Sequence, residues 1–269
     1  MYQDDPHPLS DAMRMRVLEE LQRIEREHDV TVLYACESGS RAWGFASPDS
    51  DYGVRFVYVQ RAEWYLRVEE PRDVIERPLS DELDVSGWEL RKALRLLRGA
   101  NPSLLEWLGS PLVYRADEQA REQLGALARA FYSPRAVRHH YLSMARKNLR
   151  GYLSGDTVRL KKYLYVIRPL LAVRWIDQGL GMPPTAFTAL LERTVDEADV
   201  RQAIDQLLER KRRAGETQHG PRDDVLHRFI EAELARADTV EVARGERSDT
   251  GVLDRFLLET VGRFQAQYG

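Results

Sequence analysis

The chain has 269 residues, 43% of them hydrophobic and 31% charged, with 17 Gly and 12 Pro. That length and balance exclude a small stapled scaffold, a disordered chain and a fibrous one. No run of about 18 apolar residues occurs, so no membrane span is expected. The stretch Met1 to Asp11 lacks the basic and then apolar layout of a signal peptide. The single cysteine, Cys36, can form no internal disulfide and no cysteine-based zinc site alone, and it reads as a small buried hydrophobe. Together these features predict a cytoplasmic protein.

Net charge is −3, which argues against a uniformly basic nucleic-acid coat. The average hides an asymmetry. Arg135 to Trp175 holds ten Lys or Arg against one acid, Asp156, so that segment is +9 and the remainder −12. One sign over 41 residues fits either a solvated helical face or a phosphate-rich partner.

In chain order, Ser10 precedes Met13, Val17, Leu21 and Ile24, the stripe of an amphipathic helix running to about Glu27. Val30 to Cys36 and Val54 to Val59 read as strands, the second with Val54, Phe56 and Tyr58 on one face. A third short strand is expected around Leu83 and Val85, after a polar stretch from Glu69 to Asp81. Ser86 and Glu89 have the spacing of a capping box, with Leu90, Ala93, Leu94 and Leu97 as the buried stripe and Gly99 as the stop. Asn101 and Pro102 suit the N-cap and N1 of the next helix, with Leu104, Leu105 and Leu108 inward.

After Asp117 no segment reads as strand, and 117–131, 134–153, 157–178, 185–194, 196–214, 221–237 and 251–267 have helical spacing. Pro169 is expected to kink its helix. Polar loops are expected at Gly215 to Asp223 and Arg244 to Gly251. The fold class expected is α+β: a domain with a small mixed sheet over residues 1–116, then an all-helical domain over 117–269.

The chemistry concentrates in Glu37-Ser38-Gly39-Ser40-Arg41-Ala42-Trp43-Gly44-Phe45-Ala46-Ser47-Pro48-Asp49-Ser50-Asp51-Tyr52-Gly53-Val54. A Gly-Ser pair leaving a strand for a short helix bares backbone N–H groups and favours phosphate. Ten residues on, Asp51 begins the next strand, where its carboxylate would lie beside that turn. A carboxylate next to a phosphate implies a divalent cation between the two anions.

This run resembles the nucleotidyltransferases of the DNA polymerase β superfamily, whose pattern is Gly-Ser, about ten residues, Asp-x-Asp on a strand, and a third carboxylate on a neighbouring strand. With Glu82-Leu83-Asp84-Val85-Ser86-Gly87-Trp88-Glu89-Leu90-Arg91-Lys92 and Asn101-Pro102-Ser103-Leu104-Leu105-Glu106-Trp107, it looks like the RNA-repair-pathway branch, the RlaP type. The match covers most of residues 30 to 110 and, more loosely, Lys161 to Trp175.

The resemblance implies nucleotidyl transfer from a nucleoside triphosphate to a hydroxyl, an RNA end in RNA repair, with Mg²⁺ or Mn²⁺ as cofactor and RNA-repair enzymes as partners. By resemblance, Gly39 and Ser40 hold the outer phosphates, Asp51 is the shared metal ligand, and Asp84 is the third carboxylate, with Glu82 as the alternative two residues earlier.

The departure is at position 53, where the pattern has Asp and this chain has Gly53. Losing a ligand there predicts weakened or absent transfer, since even an outer partner of a metal ligand is worth roughly 10- to 100-fold. Asp49 with Asp51 also spells Asp-x-Asp, but Asp49 follows Pro48, in a turn where Asp commonly caps its own backbone.

The resemblance also implies that a lysine of the helical domain reaches the triphosphate, and in the basic block Lys161 or Lys162 is the candidate, with Lys147 and Arg168 behind them. Arg41 is a phosphate contact or a surface residue, and Trp43 a base-stacking or a packing residue. His139 and His140, about 100° apart on a helix, cannot chelate one metal and read as surface. Two rival functions stay open: a nucleotide- or RNA-binding pseudoenzyme, and transfer to a protein or small molecule.

Overall fold

The computed structural model describes residues 9–77, 82–213, 219–242 and 248–266. The stretch before Leu9, and residues 215–218 and 244–247 of the polar loops expected at 215–223 and 244–251, lie outside those residues.

The first half runs α1 (Asp11–His28), β1 (Thr31–Ser38), α2 (Gly39–Trp43), β2 (Tyr52–Val59), α3 (Ala62–Tyr65), β3 (Val74–Glu76), β4 (Leu83–Glu89), α4 (Leu90–Arg98), α5 (Pro102–Leu108), β5 (Val113–Ala116) and α6 (Glu118–Ala130). The second runs α7 (Pro134–Tyr152), β6 (Thr157–Arg159), α8 (Lys161–Asp177), α9 (Phe187–Thr194), α10 (Ala198–Arg213), β7 (His219–Pro221), α11 (Asp224–Thr239) and α12 (Gly251–Gln265). Among the described residues no helix is long and apolar enough to cross a membrane.

Two compact units form. Among the described residues, one comprises those within 9–39, 51–132 and 248–266, the other those within 40–50 and 133–242. The division expected at 116/117 cuts the chain once. These units exchange chain at 39/40, 50/51, 132/133 and between 242 and 248, so α6 and α12 go with the sheet and the segment 40–50 with the helices.

The sheet unit is a mixed α+β layer of five strands ordered β3-β4-β2-β1-β5. Only β2 and β4 run parallel, pairing Gly53 with Asp84 and Arg55 with Ser86. The α1 stripe Met13, Val17, Leu21 and Ile24 buries against Val54, Phe56 and Tyr58 of β2 and Leu83 and Val85 of β4. The Ser10 hydroxyl caps that helix by accepting from Met13 N–H. α5 and α6 lie on β1 and α4 on β2 and β4, with Trp88 and Trp107 stacked at 3.8 Å.

Several sequence expectations change here. Ser86 is not a cap: β4 continues to Glu89, and the Glu89 carboxylate caps α4 by accepting from Arg91 and Lys92 N–H. The stripe Leu90, Ala93, Leu94 and Leu97 is buried as expected, and Gly99 follows the helix. In α5 Trp107, not Leu108, is buried alongside Leu104 and Leu105. β3 and β5 extend the sheet beyond the three expected strands.

The helical unit comprises α7 to α11 with one small hairpin, β6 paired antiparallel with β7. Thr157 to Arg159 is therefore strand, and α8 starts at Lys161. α8 runs on through Pro169 and is buried on nearly every side, including Leu164, Ile167 and Leu171. Part of the basic block is consumed here: Arg138 pairs with Asp177, Arg146 with Asp238, and Arg174 with Glu197 and Glu233.

Candidate active site

Where β1 gives way to α2, Gly39 has φ +71, a conformation glycine adopts without strain. Ser40 is buried, its carbonyl accepting from Phe45 N–H, and Gly44 at φ +85 ends the short helix. Ser40 to Ser50 is then held inside the helical unit. The Ser47 and Ser50 hydroxyls lie 2.9 Å apart, and Arg41 Nη2 donates to the Ser50 carbonyl at 2.7 Å. Arg41 is buried, so the surface alternative for it is set aside. Trp43 packs against Phe45 and Tyr165 with the Arg168 guanidinium 4.5 Å from its ring centre, and Phe45 meets Phe187 edge-on.

Sequence reasoning missed Lys211. It is 6% exposed, and its Nζ donates to Ser47 Oγ at 3.2 Å and Ser50 Oγ at 3.5 Å. The signal was present: Ile204, Leu207, Leu208 and Lys211 share one face of α10, which sets this lysine apart from Arg210, Arg212 and Arg213 beside it.

In the sheet unit, Asp51 is exposed and leads directly into β2. Gly53 and Asp84 are register partners on the parallel strands. Asp49 is exposed in a turn, and Glu82 is an exposed turn residue whose carbonyl accepts from Tyr52 N–H. Two further residues complete this end of the sheet. Glu37, 1% exposed, accepts from Gly53 N–H at 2.8 Å with one oxygen and from the Tyr114 hydroxyl with the other. Arg55 donates to Asp84 Oδ2 at 2.6 Å, to the Asp84 carbonyl at 2.7 Å and to the Val54 carbonyl at 3.0 Å.

These contacts decide whether divalent cations suit the residues present. Position 53 contributes no side chain, and the Asp84 carboxylate already has the Arg55 guanidinium as counter-ion. Among the described residues no three His, Cys, Asp or Glu side chains gather so as to hold a metal ion. The set as it stands does not fit a pair of cations.

Cys36 is fully buried, and burial pushes its thiol well above the usual range. Lys162 Nζ sits 3.9 Å from the ring centre of Tyr152 and 4.8 Å from that of Tyr165, while Lys161 opens α8. His139 is exposed and His140 half-buried.

The chain is 49% identical over 251 residues to the uncharacterized protein YcgL of Bacillus subtilis (strain 168), across 93% of this chain and 96% of that one. A nucleotidyltransferase-like protein from Exiguobacterium sibiricum 255-15 aligns over 92% of this chain and 78% of its own, at 14% identity and a TM-score of 0.30. Residues 13–259 match RlaP, described as the RNA repair pathway DNA polymerase beta family. With nearly its whole length matched, the chain belongs to that family.

Proposed function

We propose that this chain is a nucleotidyltransferase of the polymerase β type acting on an RNA end, with its transfer chemistry attenuated by Gly53. Family membership over residues 13–259 supports the reaction class. The single observation behind the attenuation is Gly53 beside an Asp84 whose charge is already met by Arg55.

The residue roles carry over from the resemblance. The outer phosphates of the nucleoside triphosphate meet Gly39 and Ser40, and Arg41, Lys161 and Lys162 supply positive charge. Asp51 and Asp84 serve the reacting centre. There the acceptor oxygen bonds to the α-phosphorus, the bond to the β-phosphate oxygen breaks, and pyrophosphate leaves. Divalent cations normally offset the charge of such a reaction, and a set lacking one carboxylate holds them poorly. RNA-repair enzymes working on the same end are the partners this reading expects.

The test incubates the chain and its Gly53→Asp variant with each labelled nucleoside triphosphate, Mg²⁺ or Mn²⁺, and single-stranded, nicked and hairpin RNA. Transfer to RNA that rises at least roughly 10- to 100-fold in Gly53→Asp supports the proposal. Nucleotide binding with no transfer by either protein to any acceptor overturns it in favour of a pseudoenzyme. Labelling of a protein or small molecule with none of RNA overturns the acceptor.

A further inference from the structure

Beside Lys161 and Lys162, which the transfer reading gives to the triphosphate, the helical unit carries cations for which that reading has no use. Within residues 147–162, spanning the end of α7, β6 and the start of α8, lie Lys147, Arg150, Arg159, Lys161 and Lys162 against one acid, Asp156. Lys147, Arg150 and Arg159 are exposed and make no ion pair among the described residues. They differ in this from Arg138, Arg146 and Arg174 of the same block, which are tied to carboxylates.

Aromatic rings alternate with these cations. Lys162 lies between the rings of Tyr152 and Tyr165, and Tyr165 in turn meets the edge of Trp43 at 5.5 Å. The ammonium lies 3.9 Å from the Tyr152 ring centre, yet that residue is 47% exposed, so an aromatic side chain held by a cation stands at the surface among positive charges. A solvated, solubilising lysine patch gives no reason to present a ring. A nucleic acid strand does, because phosphates seek the cations and every base has a face to stack.

We propose that this surface binds single-stranded nucleic acid, with phosphates at Lys147, Arg150 and Arg159 and a base on the open side of Tyr152. Taking that strand to be RNA rests on the transfer reading above; the stacking itself does not. An acidic protein segment would need the cations alone, so the ring favours a strand over a protein.

The experiment is fluorescence anisotropy of the full chain with a labelled single-stranded RNA of about 12 nucleotides, without nucleotide or divalent cation. Tyr152→Ala is expected to weaken binding roughly tenfold or more while Tyr152→Phe keeps it, because stacking needs the ring and not the hydroxyl. Replacing Lys147, Arg150 and Arg159 together by Ala is expected to lower the slope of log K against log salt by about 2. Equal thermal stability of the Ala and Phe variants keeps the comparison one of binding.

If Tyr152→Ala binds as well as Tyr152→Phe, or if an abasic strand or polyphosphate competes as well as RNA, the stacking proposal is overturned and the surface is an unspecific anion or protein contact. The two readings fail separately. Absence of transfer in Gly53→Asp leaves this binding result intact, and unchanged binding in Tyr152→Ala leaves transfer intact.

Discussion

At the scale of single residues, the end of the sheet is organised around a buried carboxylate. Glu37 accepts from the Gly53 backbone and from Tyr114, so it holds β2 against β1 and β5 where the candidate carboxylates lie. Glu37→Gln presents an amide to a donor and strands one of these partners. It is expected to cost about 1–3 kcal/mol in denaturant unfolding, and less than additively with Tyr114→Phe. Gly87 is as constrained for a different reason: a Cβ there would fall 2.2 Å from the Phe56 ring. Gly87→Ala therefore overpacks the α1 side of the sheet and is expected to cost about 1–3 kcal/mol by the same measurement. Gly53 is more forgiving. A Cβ there would lie 3.0 Å from the Ser38 carbonyl oxygen and 3.8 Å from Glu37 Oε1, so Gly53→Asp asks the Ser38 backbone to give by a few tenths of an ångström rather than a ring to move aside.

At the scale of elements, β4 shows how two sequence signals compete. Ser86 and Glu89 match a capping box, yet the alternation Leu83, Val85, Gly87 and Glu89 continues to the buried side of the strand, and the strand prevails to Glu89. Glu89 then caps α4 alone while accepting from the Tyr65 hydroxyl at 2.5 Å, and burial raises its pKa. Thermal melts are expected to separate the two readings: Ser86→Ala near neutral, and Glu89→Ala lowering stability by at least the roughly 1 kcal/mol of a lost cap. The strands that escaped sequence reasoning, β3, β5, β6 and β7, are three or four residues long, too short for a period to register, and exist because a neighbouring strand supplies their hydrogen bonds. Long amphipathic helices such as α1 and α6 declare themselves by their stripes.

At the scale of the whole molecule, the motif around Gly39, Ser40 and Asp51 was legible because glycine and carboxylate spacing is local. Arg55, Glu37 and Lys211 were not, since each acts through partners 29, 77 and 164 residues away. The domain line was hard to read for the same reason, with segment 40–50 leaving the sheet unit and α12 returning to it. The helical unit depends on ion pairs that sequence alone could not assign. A hydrogen bond from Arg174 holds the Glu197 carboxyl down to about 2, against burial that acts the other way. Its folded pKa lies below the unfolded value of 4.5, so the pair's stabilisation is present above pH 4.5 and is lost as pH falls toward 2. The stability gap between the parent and Glu197→Gln is expected to close over that range in pH-dependent melts, and to be small because the pair is partly exposed.

The most direct test of a transfer site lacking one carboxylate is Mn²⁺ binding, followed by electron paramagnetic resonance with a non-hydrolysable nucleoside triphosphate analogue present. Gly53→Asp is expected to bind Mn²⁺ at least roughly tenfold more tightly than the parent. Equal affinity in the two proteins would contradict the assignment of position 53 and, with it, the proposal that Gly53 attenuates transfer.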